Sequence, residues 1–199
     1  VADDLACPGE TTVSYASSCP MAVLAPWLGG ASQRSTALTA VHEHASTLRF
    51  IAVELGANDL LNARRDGTAA PTVLAGLRTR LATIVSDLAA QVPGVPIVIA
   101  NLYDPYGPAD VTAAAAVDAA NAVIADVAAS RGAVIADWHA AVNGSTESLS
   151  ALVDRGHNDV HPTVEGHRVL ALSVMAALAR AGISPMPAGA PLAEGGGSH

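Results

Sequence analysis

Three short apolar runs, two of them followed by long stretches of helical periodicity, most constrain how this chain can fold. The runs are residues 49–55 (RFIAVEL), 95–100 (VPIVIA) and 133–136 (AVIA). Each is nearly continuous in apolar character, as a strand covered on both faces must be. Gly56 stops the first run, and Pro93-Gly94 precedes the second. Between them Val73, Leu74, Leu77, Leu81, Ile84, Val85 and Leu88 recur at the spacing of one helix face, which predicts a helix over 72–91. A second helix is expected over 111–130, stopped by Arg131-Gly132, and a last one over 163–181 with Pro162 at its entrance. Strands alternating with helices of this length form parallel β-α-β units, with helices on both faces of the sheet.

A chain of 199 residues has room for one well-buried core and not for two. Residues 1–183 are expected to form that single domain. Residues 1–8 are short and mildly apolar, ending at the turn signal Pro8-Gly9, and 10–35 read as loop. From residue 184 the chain is rich in Pro and Gly, like a linker or tag remnant, and is set aside as a tail.

Parallel sheets place their chemistry outside the C-terminal ends of their strands. Gly9, Asn58, Tyr103, Asp104, Trp138 and His139 all follow expected strands. His161, fixed by Pro162, suits a general base, because neutral imidazole takes a hydroxyl proton near neutral pH. The Asn58 carboxamide can donate N–H to a developing oxyanion, and Gly9 lets a backbone N–H approach the same point. Each residue alone has an ordinary explanation: a helix-entry histidine, a turn after a strand, a positive-φ glycine.

In this order, however, the segments resemble the SGNH (GDSL-type) hydrolase family. Residues 4–12 (DLACPGETT) look like its second sequence block, which carries the glycine. Gly56-Ala57-Asn58-Asp59 looks like the third block, with the asparagine, and Asn158-Asp159-Val160-His161-Pro162 like the fifth, with the histidine. Leu102-Tyr103-Asp104-Pro105 also fits the actinobacterial-like branch. The resemblance covers roughly residues 3–182. It implies an α/β fold, a three-layer α/β/α sandwich with a parallel flavodoxin-like sheet. It implies hydrolysis of small-molecule or lipid-like carboxylic esters through a serine acyl-enzyme, with no metal or organic cofactor.

Two departures stand out. The family's first block, Gly-Asp-Ser on a strand-to-helix turn, has no counterpart; Asp66-Gly67-Thr68 and Asn143-Gly144-Ser145 do not match it. The position three residues before the histidine, where the family places an aspartate, is Asn158, with Asp159 one step later. An asparagine can hold the imidazole ring but cannot stabilise imidazolium by charge, so the base is weaker unless Asp159 substitutes. The sheet should thus lack the family's first strand, which lies between those of the second and third blocks. Either residues 1–6 fill the gap, giving a four-stranded sheet, or the exposed edge pairs with another copy of the chain. Three functions remain open: an ester hydrolase whose nucleophile lies outside this chain, one that recruits Ser14, Ser17 or Ser18, or a degenerate fold that binds a ligand without catalysis.

Composition narrows the partners. A net charge of −8 repels phosphate backbones, so no nucleic acid is expected. No apolar run reaches the ~18 residues of a membrane span. No signal peptide is evident and the chain opens at Val1, which points to a processed N-terminus. Cys7 and Cys19 are either free thiols or a bridge closing a short loop, constraining the unfolded chain by about 3 kcal/mol. The bridge is the expectation, and with it an oxidising, extracellular setting. His42 and His44 around Glu43 read as a solvated helix face, and Asp159 and His167 do not suggest a metal centre. Trp27 either caps an acyl pocket or staples its loop.

Overall fold

The structure, a computed structural model, describes residues 4–156 and 159–184. The three apolar runs form β1 (Ile51–Val53), β2 (Ile97–Ala100) and β3 (Val134–Ala136), a parallel sheet in the order β1-β2-β3. The helices are α1 (Gln33–Glu43), α2 (Ala57–Asp66), α3 (Ala70–Gln91), α4 (Val111–Arg131), α5 (Trp138–Asn143), α6 (Leu149–Leu152) and α7 (Val164–Arg180). This is the helix-rich α/β architecture expected, and its flavodoxin-like description holds.

Alternation along the strands divides the core into two layers. Val53, Ile97 and Ile99 face α1, α3 and α4, meeting Val41, Leu77, Leu81, Ile84, Val85, Val117, Ile124 and Val127. Val98, Ala100 and Ala136 face the other way, onto Ala177 and Leu178 of α7. By length and hydropathy alone α4 could cross a membrane, although Asp118, Asn121 and Asp126 interrupt its apolar run. Here its apolar side lies in the core, where Ala120 and Ile124 are fully buried.

The fourth strand expected from residues 1–6 does not form in its described part. Asp4, Leu5 and Ala6 are irregular, and the carbonyls of Leu5 and Ala6 are used elsewhere. Leu5 O accepts from Gln33 Nε2 at 3.1 Å and Ala6 O from Trp27 Nε1 at 3.2 Å. The segment is thereby tied to the 10–35 loop instead of the sheet, and Trp27 acts as a staple with about half its surface exposed. That loop winds through short 3-10 turns at Ser14–Ala16, Ala22–Leu24 and Pro26–Leu28. A Cys7–Cys19 disulfide closes its base. Among the described residues β1 pairs only with β2, so its outer edge is open.

The approach to α7 is tightly determined. Thr163 caps the helix, its hydroxyl oxygen accepting from Gly166 N at 3.0 Å while donating to Ala151 O at 2.6 Å. Thr163 N donates to Leu152 O, and Asp154 N to His161 O, both at 2.9 Å. Gly166 has to be glycine for space: a Cβ there would lie 1.9 Å from the Leu152 carbonyl oxygen. Backbone cannot yield as a flexible side chain can, so we expect Gly166→Ala to destabilise the protein by about 1–3 kcal/mol. Chemical denaturation of the two proteins, with an unchanged slope and a lowered midpoint, checks this.

Candidate active site

Gly56, at φ 120°, turns the chain sharply from β1 into α2. Asn58 and Asp59 thus project from the first turn of α2, beyond the C-terminal end of β1. Asn58 Nδ2 donates to the Glu10 carbonyl at 3.0 Å. Asp59, buried, accepts from Thr12 N at 2.8 Å and from the Thr12 hydroxyl at 2.6 Å. The Thr12 hydroxyl oxygen accepts in turn from Arg80 Nε of α3 at 2.9 Å. Two consecutive side chains therefore hold the 9–12 loop against the sheet, a connection that spans 47 residues of sequence.

Gly9 adopts φ 74°, with Met21 and Pro20 against the space a Cβ would enter. Among the described residues its N–H donates to nothing within the chain, and Asn58 Nδ2 makes only its bond to Glu10. Two N–H donors on adjoining segments are therefore unspent.

The histidine is arranged separately. His161 Nδ1 hydrogen-bonds Asp159 Oδ1, and the same oxygen accepts from Val160 N at 2.7 Å and His161 N at 3.0 Å. These contacts, the His161 backbone N–H first, hold the Asp159 carboxyl below its usual pKa. The ring is open to solvent, its side chain 79% exposed, and with Nδ1 engaged Nε2 is left outward. The Tyr103 hydroxyl donates to Val160 O at 2.7 Å, tying this loop to the end of β2. Asn158 lies outside the described residues.

Gly9 and Asn58 are thus brought together, as are Asp159 and His161, and both pairs sit at the C-terminal side of the sheet. No hydrogen bond or ion pair joins His161 to Gly9 or Asn58 among the described residues. Nor does one join it to Ser14, Ser17 or Ser18. Ser14 is spent locally: its hydroxyl donates to Glu10 Oε1, its oxygen accepts from Thr11 N at 3.1 Å, and Ser17 Oγ donates to Ser14 O at 3.0 Å. Glu10 is itself buried and its Oε2 has no partner among the described residues, so burial raises its pKa.

The loop after β2 is held by carboxamides that mimic peptide groups. Asn121 of α4 accepts from Leu102 N and donates to Leu102 O, each at 2.8 Å. Asn143 does the same to Asp104, also at 2.8 Å. Asn101 Nδ2 donates to Asp137 Oδ1 at 2.8 Å, and Asn101 Oδ1 accepts from His139 N at 2.9 Å. A cavity of about 220 Å³ lies here, lined by Asp104, His139, Asn143, Ser145, Glu147 and Leu149 among others. Among the described residues no cluster of three or more His, Cys, Asp or Glu is placed to hold a metal. The structural roles of Asp59, Thr12, Arg80, Asn121 and Asn143 are not evident from sequence. Asp59 and Thr12 do fall inside the family-like segments, and Asn121 is a lone amide among the Ala and Val residues of α4.

Residues 1–169 match the family model described as the GDSL-like lipase/acylhydrolase family, and the chain belongs to that family. A comparison with curated proteins finds no match. Among solved structures, the chain is similar to a variant of Axe2, an acetyl xylan esterase from Geobacillus stearothermophilus, with TM-score 0.58 and 19% identity. That match covers 90% of this chain and 72% of the other. A catalytic mutant of the same enzyme gives TM-score 0.60 and 19% identity, covering 88% and 69%. LAE5, an α/β hydrolase enzyme from the metagenome of Lake Arreo, Spain, gives 0.56 and 16%, covering 71% and 67%. At these identities the likeness is one of fold, and together with the family it supports an ester hydrolase.

Replacing Asp59 by Ala orphans two buried donors of Thr12, at about 1–3 kcal/mol each. We expect a correspondingly lowered denaturation midpoint and faster amide exchange at Thr12, which hydrogen-exchange NMR measures. The buried Glu10 gives a pH signature. Its folded pKa lies above the ordinary 4.5, so the fold retains a proton that the unfolded chain has released. Stability should therefore fall as pH rises from about 4.5 through the folded value, and Glu10→Gln should lack that slope. Denaturation midpoints taken from about pH 4 to pH 7 compare the two.

Proposed function

We propose that this chain is the base-and-oxyanion part of a carboxylic ester hydrolase, acting outside the cell, whose serine is carried on a strand at the open edge of β1. The observation that carries this reading is the Asn58–Glu10 bond, which sets two unspent N–H donors on adjoining segments. A serine hydroxyl entering beside them would attack the ester carbonyl. His161 Nε2 would take its proton, and the resulting imidazolium would be stabilised by Asp159. The Gly9 N–H and the second Asn58 N–H would receive the oxyanion. The proton then passes to the leaving alcohol, and a water activated by His161 releases the acid.

The open edge supports the placing of the serine. In the sheet of this family the strand of the first block lies beside that of the third, which here is β1. Relatives of this fold are longer, this chain spanning 72% of the acetyl xylan esterase variant. The Cys7–Cys19 bridge favours an oxidising, extracellular setting. A recruited nucleophile is less favoured, because the Ser14 hydroxyl is bound to Glu10.

The test is complementation. The chain alone should neither react with a fluorophosphonate probe nor hydrolyse p-nitrophenyl acetate. Fusing a Gly-Asp-Ser strand and helix from a family esterase ahead of it should restore both, with the label on the added serine. In that fusion His161→Ala should abolish turnover, and Asn58→Ala should lower kcat by about 10²–10³. A fusion that folds yet stays inert would overturn the proposal in favour of a non-catalytic ligand-binding fold. Labelling of the unfused chain at Ser14, Ser17 or Ser18 would show a recruited nucleophile instead.

A further inference from the structure

Among the described residues, nine large apolar side chains are exposed, and five of them fall between residues 13 and 27. Val13 is 63% exposed, Met21 48%, Val23 87%, Leu24 58% and Trp27 51%. This clustering is not what scattered surface hydrophobes show, which individually need no explanation. Residues 11–33 also contain no Asp, Glu, Lys, Arg or His, although the chain as a whole carries a net charge of −8. The segment is both the most apolar exposed stretch and the longest uncharged one outside the tail.

It is not a loose loop. The Cys7–Cys19 disulfide closes its entry, and hydrogen bonds from Leu24 N to Met21 O and from Leu28 N to Ala25 O fold it back on itself. Ala25 and Leu28 are buried beside the two cysteines, anchoring the stretch from beneath while Val23 and Leu24 point out. Trp27 has its ring half exposed and its N–H satisfied by Ala6 O, an amphipathic arrangement suited to a boundary between apolar and wet phases. Met21 also borders Gly9, so the exposed stretch starts at the proposed oxyanion site.

We propose that this disulfide-closed segment docks onto a neutral acyl-lipid surface, with Val23, Leu24 and Trp27 inserted among the chains. Charge selects this occupant. An uncharged apolar patch on an acidic protein gains nothing from anionic headgroups and is repelled from them, whereas a neutral or zwitterionic interface accepts it. The attachment is made by apolar burial, and it does not rest on the esterase proposal, since binding needs no turnover.

The experiment uses the full chain and vesicles of phosphatidylcholine, read by co-sedimentation and by Trp fluorescence. We expect binding with a blue shift, little changed between low and high salt, and weaker on vesicles containing phosphatidylserine. The double variant Val23→Ser/Leu24→Ser changes exposed side chains and should keep its denaturation midpoint while partitioning at least about tenfold less. Absence of binding to phosphatidylcholine, or equal binding by the variant, would overturn the proposal. So would self-association of the wild type that the variant loses, because the patch would then belong to a second copy of the chain.

Discussion

The organisation of the site depends on two neighbouring side chains at the first turn of α2. Asn58 reaches the backbone of Glu10 while Asp59 reaches both donors of Thr12, so one helical turn grips a loop that is also held by Arg80, by buried Tyr15 and by the disulfide. A buried carboxylate is costly unless its oxygens are occupied, and here Thr12 occupies both, with Arg80 beside them. The grip therefore fixes register as well as contact. Sliding the loop so that Val13 replaced Thr12 would remove the hydroxyl donor and leave one carboxylate oxygen without it. Gly9 owes its position to this constraint, and the orientation of Asn58 to the same bond network.

The two faces of the sheet are unequally covered. One carries α1, α3 and α4 over a continuous apolar core, while the other is met chiefly by α7. Leu172 and Met175 of α7 remain about half exposed. At the open edge of β1, Glu54 is exposed. That edge lies where the proposed serine-bearing strand would join the sheet. An open strand edge presents unpaired N–H and C=O groups, which another strand can pair with.

What was legible in the sequence follows from range. The strands were readable to within one or two residues, because a buried parallel strand must be apolar throughout. Helices α3, α4 and α7 are readable for the same local reason, through periodicity and boundary signals such as Pro162 and Arg131-Gly132. Helix α2 was read only as a turn, because it carries few buried residues: Asp59 is buried, while Arg64 and Arg65 lie outward. The strand expected at residues 1–6 is absent from 4–6 because apolar character says nothing about where carbonyls find partners. Trp27 and Gln33 took those carbonyls, and that competition is tertiary. The roles of Asp59, Asn121 and Asn143 were hidden likewise, since each joins segments between 19 and 47 residues apart.

Positioning and reactivity are divided between different kinds of group. Backbone bonds do the positioning of His161: its carbonyl accepts from Asp154, its N–H donates to Asp159, and the neighbouring Val160 carbonyl accepts from Tyr103. The imidazole itself is left exposed, held only at Nδ1. Asp159 can serve this orienting role from within the loop because a turn brings positions two apart face to face, whereas a partner on another element would have to be packed into place. An acid so near in sequence keeps its geometry even when surrounding structure is incomplete. The Asp159–His161 pair is thus locally encoded, while the pairing of Gly9 with Asn58 is built from long-range contacts and is the more vulnerable to loss of packing.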